Sequence, residues 1–169
     1  MNPHALPDGQ FQPGNVYRRK DLHQAWGGQQ RGGISTPSGA DFAFLFTGES
    51  GEKYGYRDEW LDAETYGYCG EGQEGDQELV RGNWSIADRS PDIHLFRATK
   101  DGFVEYVHQM FYADHFFKPG VDKNGQPREL VVFKLRKYRP EHLQEALAEH
   151  RTVEHVTAGV ADDAGLHAS

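Results

Sequence analysis

Tyr68-Cys69-Gly70-Glu71-Gly72-Gln73-Glu74-Gly75-Asp76-Gln77-Glu78-Leu79-Val80-Arg81-Gly82-Asn83 is the stretch on which the fold turns. It continues Thr65 to Cys69, a short aromatic run with strand character, and closes it with Gly70, Gly72 and Gly75. Asp76 stands where it can cap a helix. From Gln77 to Asp88, Leu79, Val80, Asn83, Ile86 and Ala87 recur at the i, i+3/4 spacing of an amphipathic helix, which Gly82 weakens. A strand that passes through a glycine turn into a helix, with further strand signals beyond, points to α+β.

On the N-terminal side, Phe42-Ala43-Phe44-Leu45-Phe46-Thr47 is too short for a globular helix and dense in aromatics, so it is expected to be a buried strand. Lys53 to Trp60 alternates Tyr54, Tyr56, Asp58 and Trp60 on one side, and a strand would set all four on one face. Tyr17 to Trp26 places Leu22 and Trp26 at helical spacing before the stop signal Gly27-Gly28. On the C-terminal side, Ile93 to Thr99, Phe103 to Ala113 and Glu129 to Arg136 are β-rich. The first two are joined by Lys100-Asp101-Gly102 and the last is preceded by the turn-like Asp122-Lys123-Asn124-Gly125. Pro140 suits the first turn of a helix reaching about His150. Five or six strands with two helices make an α+β, barrel-like plan. Residues 1–16 are expected to form a flexible arm, 17–139 the domain, and 140–169 a C-terminal helix and flexible tail or linker.

The 169 residues suffice for one compact domain with at most a short appendage. Twenty glycines, eight prolines and 12% aromatics suit short strands and tight turns better than a helical bundle. A mean hydropathy of -0.78 and the lack of a long apolar run argue against a membrane span. Met1-Asn2-Pro3-His4 shows neither a basic n-region nor an apolar h-region, and the lone Cys69 has no internal disulfide partner, so a cytoplasmic protein is expected. The net charge of -8 is the wrong sign for a general nucleic-acid binder. Its distribution matters more. Between Glu49 and Glu78 ten acids face two bases, which accounts for the whole of it, and the remainder balances at sixteen of each sign. Basic clusters remain at Arg18-Arg19-Lys20 and at Lys134, Arg136, Lys137 and Arg139.

Nine histidines are scattered without His-x-x-x-His or Cys-x-x-Cys pairing, so no metal site and no cofactor are expected. Walker and dinucleotide fingerprints are missing. Chemistry concentrates between Tyr54 and Asn83, where Tyr54, Tyr56, Asp58, Trp60, Tyr66 and Tyr68 surround two carboxylate-rich turns. One account makes these aromatics core and the acids solvated surface. The other makes them a cage in which tyrosines sandwich a flat ring while an ionised acid accepts its amino hydrogen, as a flipped cytosine requires.

The string Tyr68-Cys69-Gly70-Glu71-Gly72, then Asp76-Gln77-x-Leu79, then Gly82-Asn83-x-x-Ile86 resembles the Tyr-Thr-Gly-x-Gly, Asp-Gln-x-Leu, Asn-x-x-Leu signature of SRA (SET- and RING-associated, YDG) domains. Gly32-Gly33-Ile34-Ser35-x-Pro37, Phe44 to Gly48 and Tyr54 to Asp58 are similar to the SRA-like region of bacterial modification-dependent HNH nucleases, and the likeness spans Val16 to Lys137. The resemblance implies a PUA-like, SRA-like twisted β-barrel with two or three flanking helices. It also implies a reader that flips a modified base, 5-methylcytosine or a 5-substituted relative, out of double-stranded DNA, without chemistry of its own. The partner it implies is a fused or separate HNH nuclease domain in a restriction system.

Carried onto this chain, the resemblance puts Tyr68 on one face of the base and Tyr56, or else Tyr54, on the other, with Asp58 accepting from the amino group. Cys69 stands where the family has Thr, and Trp60, Gly70, Glu71 and Gly72 complete the pocket, the glycines letting backbone N–H groups approach base or phosphate. Asp76, Gln77 and Asn83 brace the loop. Backbone contacts are expected from Arg31, Lys134, Arg136 and Lys137. Three residues between Gly72 and Asp76 replace a long finger in vertebrate relatives, so selectivity for half-modified sites is not expected. Three alternatives stand beside this: an N6-methyladenine reader of the same fold, a small enzyme using Asp58 or Glu71 with Cys69, and a protein-interaction domain using the acidic Glu49–Glu78 surface.

Overall fold

Phe42 to Thr47 is buried throughout, and in the computed structural model its strand, β3 (Ala43–Thr47), has cover on both faces. The structure describes residues 10–48 and 57–139. Leu45 points into a core with Tyr66, Tyr68, Ile86, Leu95, Met110 and Phe133, whereas Phe44 and Phe46 point the other way, into an aromatic core with Phe11, Leu22, Phe96 and Tyr106. Cover on both sides removes the usual polar alternation, which is why the segment reads as one apolar run.

Among the described residues ten elements follow one another: β1 (Val16–Arg18), α1 (Arg19–Trp26), β2 (Ile34–Ser35), β3, β4 (Glu59–Trp60), β5 (Thr65–Cys69), α2 (Arg81–Asp88), β6 (Ile93–Ala98), β7 (Phe103–Val121) and β8 (Pro127–Lys137). The strands form one sheet in the order β2-β3-β6-β7-β8-β5-β4, with β1 paired to β7. β3 and β6 are parallel and all other pairs antiparallel. β2 and β4 end the order without pairing to each other, so this is an open, barrel-like α+β sheet with two helices among the described residues.

β7 holds the halves together. Its first part pairs with β6 and its second with β8, and Met110 faces Ile93 on one side and Lys137 on the other. The register against β8 shifts between Tyr112 and Asp114, and that against β6 shifts between Leu95 and Phe96. Such bulges bend a strand and let one chain serve two differently oriented neighbours. Among the described residues only β8 pairs with it beyond Met110, so Pro119, which has no N–H to donate, sits on an edge and β7 runs eight residues past the expected end at Ala113.

Three expectations differ. The helix expected from Gln77 begins at Arg81, because Gln77 is drawn to the sheet: its N–H donates to the Glu129 carbonyl, and Leu79 and Val80 are left exposed. The alternating strand from Lys53 shrinks to Glu59–Trp60 within the described residues, and Tyr54 and Tyr56 lie outside them. In the expected arm, residues 1–9 also lie outside. Phe11, however, is buried against Phe44, Phe96 and Tyr106, Gly14 N–H donates to the Tyr106 carbonyl, and β1 starts at Val16. The chain divides into two compact units, Met1–Lys137 and Tyr138–Ser169, and the expected helix from Pro140 lies outside the described residues. No described helix is long and apolar enough to cross a membrane.

Candidate functional site

β5 carries Tyr66 and Tyr68 two residues apart, hence on one face, and both reach the end of β3. The Tyr68 hydroxyl donates to the Phe46 carbonyl at 3.1 Å, and the Tyr66 hydroxyl lies 2.9 Å from Thr47 Oγ1. Asp58 ties these strands together: its Oδ2 accepts from Thr47 Oγ1 at 2.7 Å and its Oδ1 from the Cys69 N–H at 2.8 Å. Burial pushes the Asp58 carboxyl above its ordinary range, and the two donors pull against that shift. Each carboxylate oxygen keeps a second lone pair, so a further donor finds an acceptor there. Tyr68 is only 2% exposed, and burial, reinforced by the Asp58 charge, holds its hydroxyl protonated.

Cys69 comes next in β5. Its Sγ lies 3.8 Å from Gln77 Oε1, and burial together with Asp58 pushes the thiol up to about 11. At neutral pH it is a thiol, the unreactive form, which counts against the enzyme with a Cys69 nucleophile.

At Gly70 the loop differs from the expectation of a free backbone donor. Gly70 N–H donates to the Val131 carbonyl and Glu71 N–H to Asn83 Oδ1, so neither is open to a base or phosphate. Gln77 Nε2 donates to the Gly70 carbonyl at 2.8 Å while its Oε1 accepts from Val131 N–H, and Asn83 Nδ2 donates to the carbonyls of Glu71 and Glu78. Asp76 Oδ1 accepts from Glu129 N–H. The Glu71 carboxylate accepts from the Ile34 N–H, and burial raises its pKa. It lies against α2 where a Cβ on Gly82 would meet Oε2 at 2.5 Å, so the glycine that weakens α2 makes room for a carboxylate.

Trp60 departs from the shared face expected with Asp58. Asp58 precedes β4 and lies outside any strand, while Trp60 is 42% exposed, packs edge-on to Tyr66 at 5.0 Å and takes the Lys137 ammonium over its ring at 5.0 Å. Lys137 also pairs with Glu64, and the Lys134 ammonium lies 5.6 Å from the centre of the Phe116 ring; Arg136 and Arg31 are exposed. On β8, Lys134 and Arg136 alternate away from Phe133 and Leu135, hence away from the core that holds Tyr68. Among the described residues no group of His, Cys, Asp and Glu is arranged to hold a metal ion.

Two parts of the site have no signal in the motifs. Thr47 joins Asp58 to Tyr66, but a hydroxyl at the end of an apolar strand is too common to stand out. Arg128, 5% exposed, donates to the carbonyls of Gly72, Gly75 and Val121, and Asp122 Oδ2 accepts from Gly75 N–H, so the β7–β8 turn clamps the glycine loop. Asp122-Lys123-Asn124-Gly125 and the Gly70–Gly75 loop both show as turns in the sequence, but nothing in either marks them as partners.

Comparison with known proteins bears on the chain as a whole. None of the curated proteins matches it. The restriction endonuclease ScoMcrA, described as Type IV and phosphorothioation-dependent, superposes with a TM-score of 0.61 at 21% identity over 78% of this chain and 30% of its own. The modification-dependent restriction endonuclease TagI gives 0.56 at 17% identity over 80% and 52%. KRYPTONITE, solved in complex with mCHG DNA and SAH, gives 0.55 at 15% identity over 78% and 33%. The chain therefore spans between about a third and a half of these proteins, and at such identities the likeness is one of fold. The sequence profile of the ScoMcrA-like SRA domain matches residues 13–155, from before β1 to beyond β8, and the chain belongs to that family.

Proposed function

We propose that this chain is a DNA reader module that takes a modified base, 5-methylcytosine or a 5-substituted relative, out of the duplex and holds it between Tyr68 and Tyr56 or Tyr54. Asp58 accepts from the exocyclic amine, and the module serves as the recognition part of a modification-dependent restriction system with an HNH nuclease domain. Family membership supports the class of activity, since relatives of this fold include modification-dependent endonucleases and a protein bound to mCHG DNA.

The observation that carries the reading is the Asp58 carboxylate, half-buried beside Tyr68, with one N–H and one hydroxyl holding its ionised form and lone pairs to spare. Those two donors offset part of the cost of a charge in a low-dielectric site and leave acceptor capacity that a further donor can fill, and the N4 amine of cytosine is a donor of that kind. Because Tyr68 is closed from solvent, base entry includes uncovering its ring, and part of the binding energy goes into that step.

Gel-shift competition between otherwise identical duplexes carrying cytosine, 5-methylcytosine, 5-hydroxymethylcytosine or N6-methyladenine tests this. The 5-methylcytosine duplex is expected to compete best, and 2-aminopurine placed beside the modified base is expected to brighten as its neighbour leaves the stack. Equal competition by all four removes base reading. Preference for N6-methyladenine reassigns the ligand.

A further inference from the structure

A second concave site opens at the start of α1, away from the motifs that define the pocket. Arg18, Arg19, Lys20, His23 and Gln30 line a cleft of about 450 Å³, in which Asp101 is the single acid among the lining residues. Three consecutive cations around one hollow are notable in a chain of net charge -8.

Arg19 is held in place there. Its guanidinium lies 3.7 Å from the centre of the Phe46 ring, its Nε donates to His23 Nε2 at 3.0 Å, and its Nη2 donates to the Gln29 carbonyl at 3.3 Å. His23 Nδ1 lies 2.9 Å from the Gly27 carbonyl; donation there leaves Nε2 as the acceptor that Arg19 needs. The Arg18 guanidinium lies over Phe103 at 5.3 Å. Cations whose long side chains are already packed lose less conformational freedom when an anion arrives.

Phe46 and Gly33 link the cleft to Tyr68. Phe46 carries Arg19 on its ring and receives the Tyr68 hydroxyl on its carbonyl. The loop that supplies Gln29 and Gln30 runs on to Gly33, where a Cβ would collide with Tyr68 Oη. Gly33 thus sets the loop that borders the cleft directly against the Tyr68 hydroxyl.

We propose that the α1 cleft binds a phosphodiester oxyanion of the DNA strand that carries the flipped base, with Arg18 and Lys20 as contacting groups and Arg19, positioned by His23 and Phe46, as the fixed charge. The proposal rests on the reader function proposed above and adds a contact to it. It also shifts the weight of backbone binding away from Lys134, Arg136 and Lys137, the first two of which alternate away from the core that holds Tyr68.

The test is the salt dependence of Kd for the full chain on a duplex with one 5-methylcytosine and on its unmodified twin. Arg18→Gln/Lys20→Gln, which removes both charges, keeps a polar side chain at each position and leaves the aromatic core intact, is expected to weaken both duplexes alike. It should reduce the log–log salt slope by roughly 0.9 for each phosphate that is no longer neutralised. The matched double variant Arg136→Gln/Lys137→Gln is expected to change the slope less. An unchanged slope in Arg18→Gln/Lys20→Gln, with wild-type circular dichroism, overturns the cleft while leaving base reading intact. A wild type that binds both duplexes equally, with the slope still falling in the variant, removes base reading and retains the phosphate contact. A wild type that binds neither overturns both.

Discussion

Asp58 serves two ends at once, and two replacements separate them. One oxygen satisfies the Cys69 N–H and the other the Thr47 hydroxyl, so Asp58→Ala leaves the Cys69 N–H at a half-buried position without that acceptor and the Thr47 hydroxyl with Tyr66 Oη alone. The expected cost is about 1–3 kcal/mol in urea unfolding. Asp58→Asn keeps a carbonyl for the Cys69 N–H and gives the Thr47 hydroxyl an amide to accept from, so it should unfold close to wild type. Without the charge it should lose preference for the modified duplex. Acidification should imitate that loss: burial raises the Asp58 pKa, so its ionised form disappears at a higher pH than that of an exposed aspartate, and selectivity should fall there in the wild type and stay flat in Asp58→Asn. Retention of full selectivity by Asp58→Asn at neutral pH would show that its charge is not the acceptor.

Among the elements, the β7–β8 hairpin does for the glycine loop what Asp58 does for the strand ends. Arg128 supplies donors to three carbonyls, and Lys123 N–H reaches the Gln73 carbonyl. Arg128→Met keeps much of the side-chain volume and removes those donors at a position that is 5% exposed. A loss of about 1.5–3 kcal/mol is expected, with faster amide exchange at Gly75, whose N–H bonds to Asp122 in the same turn. Wild-type exchange there would show that the loop stands without the clamp. β3, β5 and β6 are legible in the sequence because their burial writes short apolar runs. β1 and β2, of three and two residues, are too short to leave a pattern. The late start of α2 and the long reach of β7 depend on Gln77 meeting Glu129 and on Pro119 meeting only one neighbour, which are facts of pairing rather than of periodicity. The candidate site divides the same way: Tyr68, Asp58 and the residues that brace the loop are marked by motif, whereas Thr47, Arg128 and the partners of Arg19 exist only after the sheet has formed.

At the scale of the whole molecule, the aromatic core carries a titratable group that sets how stability varies with pH. His94 is 7% exposed, its ring lies near those of Phe11, Phe44 and Tyr106, and its Nδ1 lies 2.9 Å from the Tyr106 hydroxyl. Burial lowers its pKa to about 4, against 6.5 for the unperturbed side chain. Between those values the unfolded chain binds a proton that the folded chain refuses, so stability falls as pH falls from 6.5 and the loss is complete near pH 4. A difference of that size corresponds to about 3 kcal/mol over the full window. Asp58 and Glu71 act with the opposite sign, because their raised pKa values let the folded chain take up protons before the unfolded one does. The separating variant is His94→Asn, which places an amide near the Tyr106 hydroxyl and does not titrate. Urea unfolding at pH 7 and pH 5 should show the wild type losing about 2 kcal/mol more than His94→Asn across that interval. If both proteins lose the same amount, His94 is protonated in the fold at pH 5, and the aromatic core is wetter than its packing implies.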